Sequence, residues 1–216
     1  MRLVLLGPPG AGKGTQAAAV RDRLGIPHIS TGDMLRGAIA AGTPLGRKAK
    51  QIVDGGNLVP DDVITEMVRE RLGAPDTSQG FLLDGYPRNL GQARSLEVIM
   101  DGFGRKLDLV LCLNLSDVEI VARLSGRRTC DRCGAPFHVV GAPPKVSGIC
   151  DFCAGALSQR ADDREEVIER RLAVYKLQTA PLSEYYRQKG ILAKIDATGG
   201  VLQIRERIFK ALAGGG

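Results

Sequence analysis

"LVLLGPPGAGKGTQ", Leu3 to Gln16, sets an apolar run directly before four glycines, two prolines and a single lysine. Glycine is costly to order and proline lacks a backbone donor, so the stretch is poor core material. It suits a sharp passage from strand to helix. Glycines let successive N–H groups face one concavity, and the following helix aims its N-terminal N–H groups and positive dipole end at the same spot. Lys13 adds a point charge there, and Thr15 a hydroxyl suited to a phosphate or its metal. The order strand, Gly7-x-x-x-x-Gly12-Lys13, helix is that of a phosphate-binding P-loop, with Gly14 standing where the generic pattern has Ser or Thr.

Beyond the loop, apolar runs alternate with helical patterns. Arg2–Leu6, His28–Ser30, Phe81–Asp84, Leu109–Leu115 and Ile191–Asp196 read as short strands. Their continuous apolar character suits strands buried on both faces, as in a parallel sheet. Helical stretches lie between them at Lys13–Leu24, Asp61–Leu72, Leu90–Met100 and Asp117–Leu124, and Val201–Leu212 closes the pattern ahead of a frayed glycine tail. This rhythm predicts a doubly wound α/β fold, a five-stranded parallel sheet flanked by helices. A long helix is expected after Asp163, read as its N-cap with Glu166 as capping-box partner; Ile168, Leu172 and Tyr175 share one face, and Pro181 interrupts it. Two segments break the rhythm, Thr31–Val59 and Gly126–Asp163, and read as insertions on the sheet. The expected division is a core of 1–29, 60–125 and 164–216 with inserts at 30–59 and 126–163.

At 216 residues the chain can bury one sizeable core. Its 44% apolar and 25% charged residues are those of a globular protein, and no apolar run approaches the roughly 20 residues that span a bilayer. With no secretory pattern at the front, a cytosolic protein without membrane attachment is expected. The net charge of +6 points to an anionic partner. With no Trp and only 4% aromatics, the stacking rings of single-strand binders are missing, which argues against nucleic acid.

"STGDMLR" (Ser30 to Arg36) and "DGYPRNLGQ" (Asp84 to Gln92) follow the second and third strands. Both emerge at the carboxyl edge of the sheet, where open α/β folds bind ligands. Asp84, at a strand end beside the P-loop strand, can hold Mg²⁺ through water. Arg36 and Arg88 carry forked guanidinium groups suited to phosphate oxygens, and Thr31 and Gln92 can hydrogen-bond a base. One nucleoside triphosphate is already served by the P-loop, so these arginines imply a second anion. Arg127 and Arg160 bracket the second insertion and Arg171 lies on the long helix, whereas Arg123, Arg128 and Arg132 read as solvated charges, and His28 and His138 as packing or surface residues. "CDRC" (Cys130 to Cys133) and "CDFC" (Cys150 to Cys153), sixteen residues apart, have the spacing of a closed tetrathiolate zinc site; disulfides and a nucleic-acid zinc ribbon are the competing readings. Cys112 reads as a buried small hydrophobe.

"GPPGAGKGTQ", "STGDMLR", "GFLLDGYPR", "GRR", "RADD" and the "RRL...Y" helix together resemble the adenylate kinases, in their long-lid bacterial form, over essentially the whole chain. The resemblance implies phosphoryl transfer from MgATP to AMP giving two ADP, by a monomer built of a core, an AMP-binding insertion and a lid. It further implies that Gly10, Ala11, Gly12, Lys13, Gly14 and Thr15 wrap the ATP phosphates, with Lys13 on the transferred group. Arg127, Pro136 and Phe137 would lie over ATP, and Gly199 would meet its adenine through the backbone. Thr31, Arg36, Asn57, Leu58, Val59, Gly85, Tyr86, Pro87, Arg88 and Gln92 would contact AMP, with Arg160 and Arg171 reaching across to it. Phe137 departs from the pattern, since similar sequences often carry Tyr there. Some long-lid members staple the lid with Zn²⁺, which the four cysteines would supply. The rivals are a kinase for UMP or CMP, and a P-loop switch carrying a zinc-ribbon binding module.

Overall fold

The computed structural model describes residues 1–55 and 57–214, so the last two glycines of the expected tail lie outside the described residues. Its centre is a five-stranded, all-parallel sheet of β1 (Arg2–Leu6), β2 (His28–Ser30), β3 (Phe81–Asp84), β4 (Leu109–Asn114) and β8 (Leu192–Asp196), in the spatial order β2-β3-β1-β4-β8. The P-loop strand is therefore central, with Leu5 beside Asp84 on one side and Leu111 on the other. Successive residues of β1 serve opposite cores: Val4 and Leu6 pack with Phe81, Leu83 and Tyr86, whereas Leu3 and Leu5 pack with Leu82, Leu111 and Ile208. Burial on both faces is why these strands are apolar without alternation.

Helices cover both faces: α1 (Lys13–Leu24), α4 (Asp61–Leu72), α5 (Leu90–Gly102), α6 (Asp117–Ser125), α7 (Glu165–Val174), α8 (Leu182–Gln188) and α9 (Val201–Gly214). Several begin on a side-chain cap, with Asn89 accepting from the Gln92 N–H and Ser116 from that of Glu119. The first insertion is helical, α2 (Thr31–Ala40) capped by Ser30 and α3 (Pro44–Asp54) capped by Thr43. The second carries an antiparallel sheet that its composition does not announce: β5 (Arg127–Cys130) flanked by β6 (Pro136–His138) and β7 (Leu157–Ser158).

One expectation is corrected. Asp163 is not an N-cap; it closes a 3₁₀ turn, Ala161–Asp163, and α7 begins after Arg164 with no side-chain cap. Asp163 is fully buried and its carboxylate is taken by arginines. Ile168 and Leu172 do share a buried face, against Ile120 and Leu124, but Tyr175 opens a π-helical turn, Tyr175–Thr179, and leaves that face before Pro181 begins the next helix.

Candidate active site

Three strand ends and their loops converge on a cleft of about 690 Å³ at the carboxyl edge of the sheet. Gly12 caps α1 in the left-handed region (φ 87°), a conformation open to glycine at little cost, and the turn delivers Lys13 to the first position of the helix. The Lys13 ammonium donates to the carbonyls of Gly7 (2.7 Å) and Pro8 (2.9 Å), which hold it across the mouth of the loop. Gly10, Gly12, Lys13, Gly14 and Thr15 line the cleft; Ala11 is fully buried behind them, its N–H donating to Pro8. Pro136, Phe137 and Gly199 line the opposite walls.

A smaller pocket opens from the same edge, lined by Thr31, Leu35, Arg36, Asn57, Leu58, Val59, Ile64, Gly85 and Gln92. Arg36, Arg88 and Arg171 border both cavities and so sit between them. Gly85 makes room for this arrangement: it is at φ 83°, and a Cβ there would lie 2.6 Å from the Thr31 hydroxyl. The Arg88 Nε donates to the Gly85 carbonyl (2.8 Å), which fixes the guanidinium at the junction. Tyr86 lines neither cavity. It is fully buried, with its hydroxyl 3.0 Å from that of Thr65. Pro87, joined to it by a cis bond, does reach the cleft.

The electrostatics of the cleft are those of an anion site. Burial, joined by Arg88, Arg171 and Arg127, pushes the Lys13 ammonium down to about 8 against the opposing pull of Asp84. Burial likewise lowers Arg88, with Arg171 adding repulsion, and takes Arg160 down to about 10 with Arg127 and Arg36 contributing. Cations that depress one another in a shared cavity are stabilised by a polyanion placed among them. Asp163 organises two of them. Its carboxylate accepts from Arg127 Nε (2.7 Å) and Nη2 (2.5 Å) and from Arg171 Nη1 (3.0 Å). Arg160 donates from Nε to the Thr129 hydroxyl at 3.0 Å.

Three residues set aside in the sequence, Arg123, His28 and His138, line the cleft. Arg123, expected at the surface, turns inward and donates to the carbonyl of Ala197 (2.9 Å). Only its position in the last turn of α6, just before the second insertion, hints at this. His28 lines the cleft with Nε2 3.6 Å from the Asp84 carboxylate. Asp84 itself is 8% exposed at the end of β3.

In the second insertion the ligand atoms of Cys130, Cys133, Cys150 and Cys153 all lie within 4.8 Å of one another. The Cys130–Cys153 and Cys133–Cys150 sulfur pairs, at 3.4 and 3.6 Å, are too far apart for disulfides. They suit a tetrahedron of thiolates about 2.3 Å from a shared ion. Gly155 leaves the space this needs, since a Cβ there would stand 3.0 Å from the Cys130 sulfur. Backbone N–H groups of Cys133 and Arg132 favour the Cys130 thiolate, whose pKa falls to about 6. The donor set is one that can hold a metal ion. Phe137 packs beside it, buried with Cys130 and Cys150 and 6.0 Å from the Phe152 ring.

Among the described residues, no helix is long and apolar enough to cross a membrane. Compared with known proteins, residues 5–191 match the family model described as adenylate kinase. A protein named adenylate kinase from Acidothermus cellulolyticus is 54% identical over 212 residues, 98% of both chains. One of the same name from Trichlorobacter lovleyi is 52% identical over 98% of this chain and 99% of its own. Another, from Archaeoglobus fulgidus, is 52% identical over 92% of this chain and 91% of its own. With its P-loop, its paired cavities and this likeness along nearly its whole length, the chain belongs to the adenylate kinase family.

Proposed function

We propose that the chain transfers the terminal phosphoryl group of MgATP to AMP, reversibly, giving two ADP. The observation that carries this is the pair of cavities sharing Arg36, Arg88 and Arg171: one behind the P-loop, one lined by Thr31 and Gln92. An acceptor phosphate held by Arg36 and Arg88 would face a triphosphate held by the loop. An oxygen of the acceptor phosphate bonds to the γ-phosphorus while the bond from that phosphorus to the bridging oxygen breaks, leaving the electron pair on the departing ADP. Such transfer needs alignment and charge stabilisation more than covalent chemistry.

In this reading Gly10 to Thr15 cradle the triphosphate and Lys13 neutralises charge on the transferred group. Arg127, Arg160 and Arg171 surround that group, with Asp163 holding Arg127 and Arg171 in place. Pro136, Phe137 and Gly199 take the adenosine of ATP. Asn57, Leu58 and Val59, with Gly85 to Arg88 and Gln92, take AMP; the Tyr86 side chain acts from behind as packing. Family membership implies Mg²⁺ bound with ATP, for which Asp84 and Thr15 offer the hard oxygen donors such an ion prefers; when bound it spreads the phosphate charge.

We divide the chain into a core of 1–29, 60–125 and 164–216, an AMP-binding insertion of 30–59 and a lid of 126–163. The lid metal is Zn²⁺, matched by four thiolates and structural in role because the shell leaves no open position. The resemblance to adenylate kinases suits a monomer, and four thiols placed to share a metal suit a reducing cytosol. The test is ADP formation from MgATP with AMP, UMP, CMP or no acceptor. Rapid ADP production only with AMP is expected; hydrolysis indifferent to acceptor, or a preference for a pyrimidine nucleotide, would overturn the reading.

A further inference from the structure

Gln92, 2% exposed, lines the acceptor pocket among the apolar side chains of Leu35, Val59 and Ile64, and both ends of its amide are engaged. Its Oε1 accepts the Arg88 N–H at 2.7 Å, and its Nε2 donates to Asp61 Oδ1 at 2.7 Å. A carboxylate only accepts and a backbone N–H only donates, so these partners admit one orientation of the amide and oppose its reversal. Asp61 is itself pinned. The Asn89 side chain spends its oxygen capping α5, accepting from the Gln92 N–H at 2.8 Å. Its amino group must then face outward, and it donates to both Asp61 oxygens at 3.0 and 2.9 Å.

With these bonds made, Gln92 retains one lone pair on Oε1 and one N–H on Nε2 for a ligand. That edge complements adenine, whose exocyclic amino group donates and whose neighbouring N1 accepts. Hypoxanthine has the same shape but offers a carbonyl and an N1–H, the reverse pattern, which only a reversed amide would satisfy. Reversal would set the amino group of Gln92 against the Arg88 N–H and its oxygen against the Asp61 carboxylate.

We propose that Asp61 is a specificity-determining positioning residue, holding the Gln92 amide in the orientation that accepts a 6-amino purine and rejects a 6-oxo purine. The inference rests on the reading that Gln92 meets the acceptor base. It is tested by kcat/KM for AMP and for IMP at fixed MgATP in the native enzyme, Asp61→Ala, Asp61→Asn, Gln92→Ala and the Asp61→Ala/Gln92→Ala pair. The native enzyme should strongly favour AMP. Asp61→Ala should lower the AMP-to-IMP ratio by roughly tenfold, the scale of one charge-assisted hydrogen bond, mainly through KM for the monophosphate and with KM for ATP unmoved. Asp61→Asn, which keeps an oxygen for Gln92, should retain most of the preference, and the double variant should match Gln92→Ala alone. If Gln92→Ala collapses the ratio while Asp61→Ala leaves it unchanged, the proposal fails and the base-reading role stands. It also fails if Asp61→Ala weakens both acceptors equally with a lowered Tm. A native ratio near one, or a ratio untouched by Gln92→Ala, would overturn the base-reading role and the proposal with it.

Discussion

The Lys13 ammonium, pushed down to about 8 by burial among arginines, is half neutral at that pH in the free enzyme and charged well below it. A bound triphosphate favours the charged form, so ATP binding at pH 8.5 should take up a proton, whereas at pH 7 Lys13 should contribute almost none. Calorimetry in buffers of different protonation enthalpy reads this directly. Uptake should vanish in Lys13→Met, and a native enzyme with no uptake at pH 8.5 would overturn the assignment. The same variant should lose roughly a hundredfold or more in turnover while staying folded, as when a preorganised charge is removed from a transition state. Asp163 carries the opposite risk. It is fully buried and shared by Arg127 and Arg171, each about one-fifth exposed. Truncating one partner of a buried pair leaves an uncompensated charge, so Asp163→Ala should cost about 3–5 kcal/mol in denaturant unfolding, with a fall in kcat. An unchanged unfolding midpoint would show that the network is not holding the fold. Sequence alone misreads Asp163 for a physical reason: an Asp three residues before a Glu at a helix start is the local pattern of a capping box, and nothing local says that the carboxylate is claimed by Arg127, thirty-six residues away in sequence. Asp61 is hidden similarly, since an acid in a first helical turn looks like a response to the helix dipole.

At the scale of elements, the lid is the piece most dependent on something other than its own core. Apart from its cysteines, its buried cluster holds one aromatic ring, that of Phe137, with Ala135 and Leu157 packed alongside. Removing the metal, or replacing Cys130 and Cys133 by Ser, should therefore lower Tm by several degrees and expose the lid to protease, while low-temperature activity largely survives. Metal analysis with melting curves before and after zinc is restored checks this; an apo enzyme melting like the native one would remove the staple. The strands and helices of the core are legible because their patterns are strong: strand runs buried on both faces, helical periodicity between them and a glycine loop between the first strand and its helix. The lid strands are not, because β5 reads Arg-Arg-Thr-Cys and β6 begins with proline, and short strands gathered around a four-cysteine cluster need little apolar alternation. Nor is the π turn at Tyr175–Thr179, whose Thr179 hydroxyl donates to the Arg88 carbonyl at 2.6 Å; its sequence is that of an ordinary helix and the bond is long-range.

For the whole molecule, two cavities meeting at three shared arginines predict how a single ligand should bind. Two adenosines joined by a five-phosphate bridge should occupy both cavities without the entropic cost of a second association, and bind roughly a hundredfold or more tighter than ATP. Titration calorimetry measures the ratio, and equal affinities would argue for one nucleotide site. The order β2-β3-β1-β4-β8 has a consequence for how the chain is made. Of the five sheet strands, the one synthesised first is the one in the middle of the finished sheet. Its two neighbours, Phe81–Asp84 and Leu109–Asn114, are synthesised long after it, the second about a hundred residues later. At about 5–20 residues per second, β1 therefore waits on the order of 5–20 s with both hydrogen-bonding edges unpaired and apolar side chains on both faces. The glycine loop behind it has no frame to hold its shape in that interval. A nascent chain stalled before Phe81 thus presents a sticky, unpaired strand, and co-translational chaperones have most to gain from masking Arg2 to Leu6.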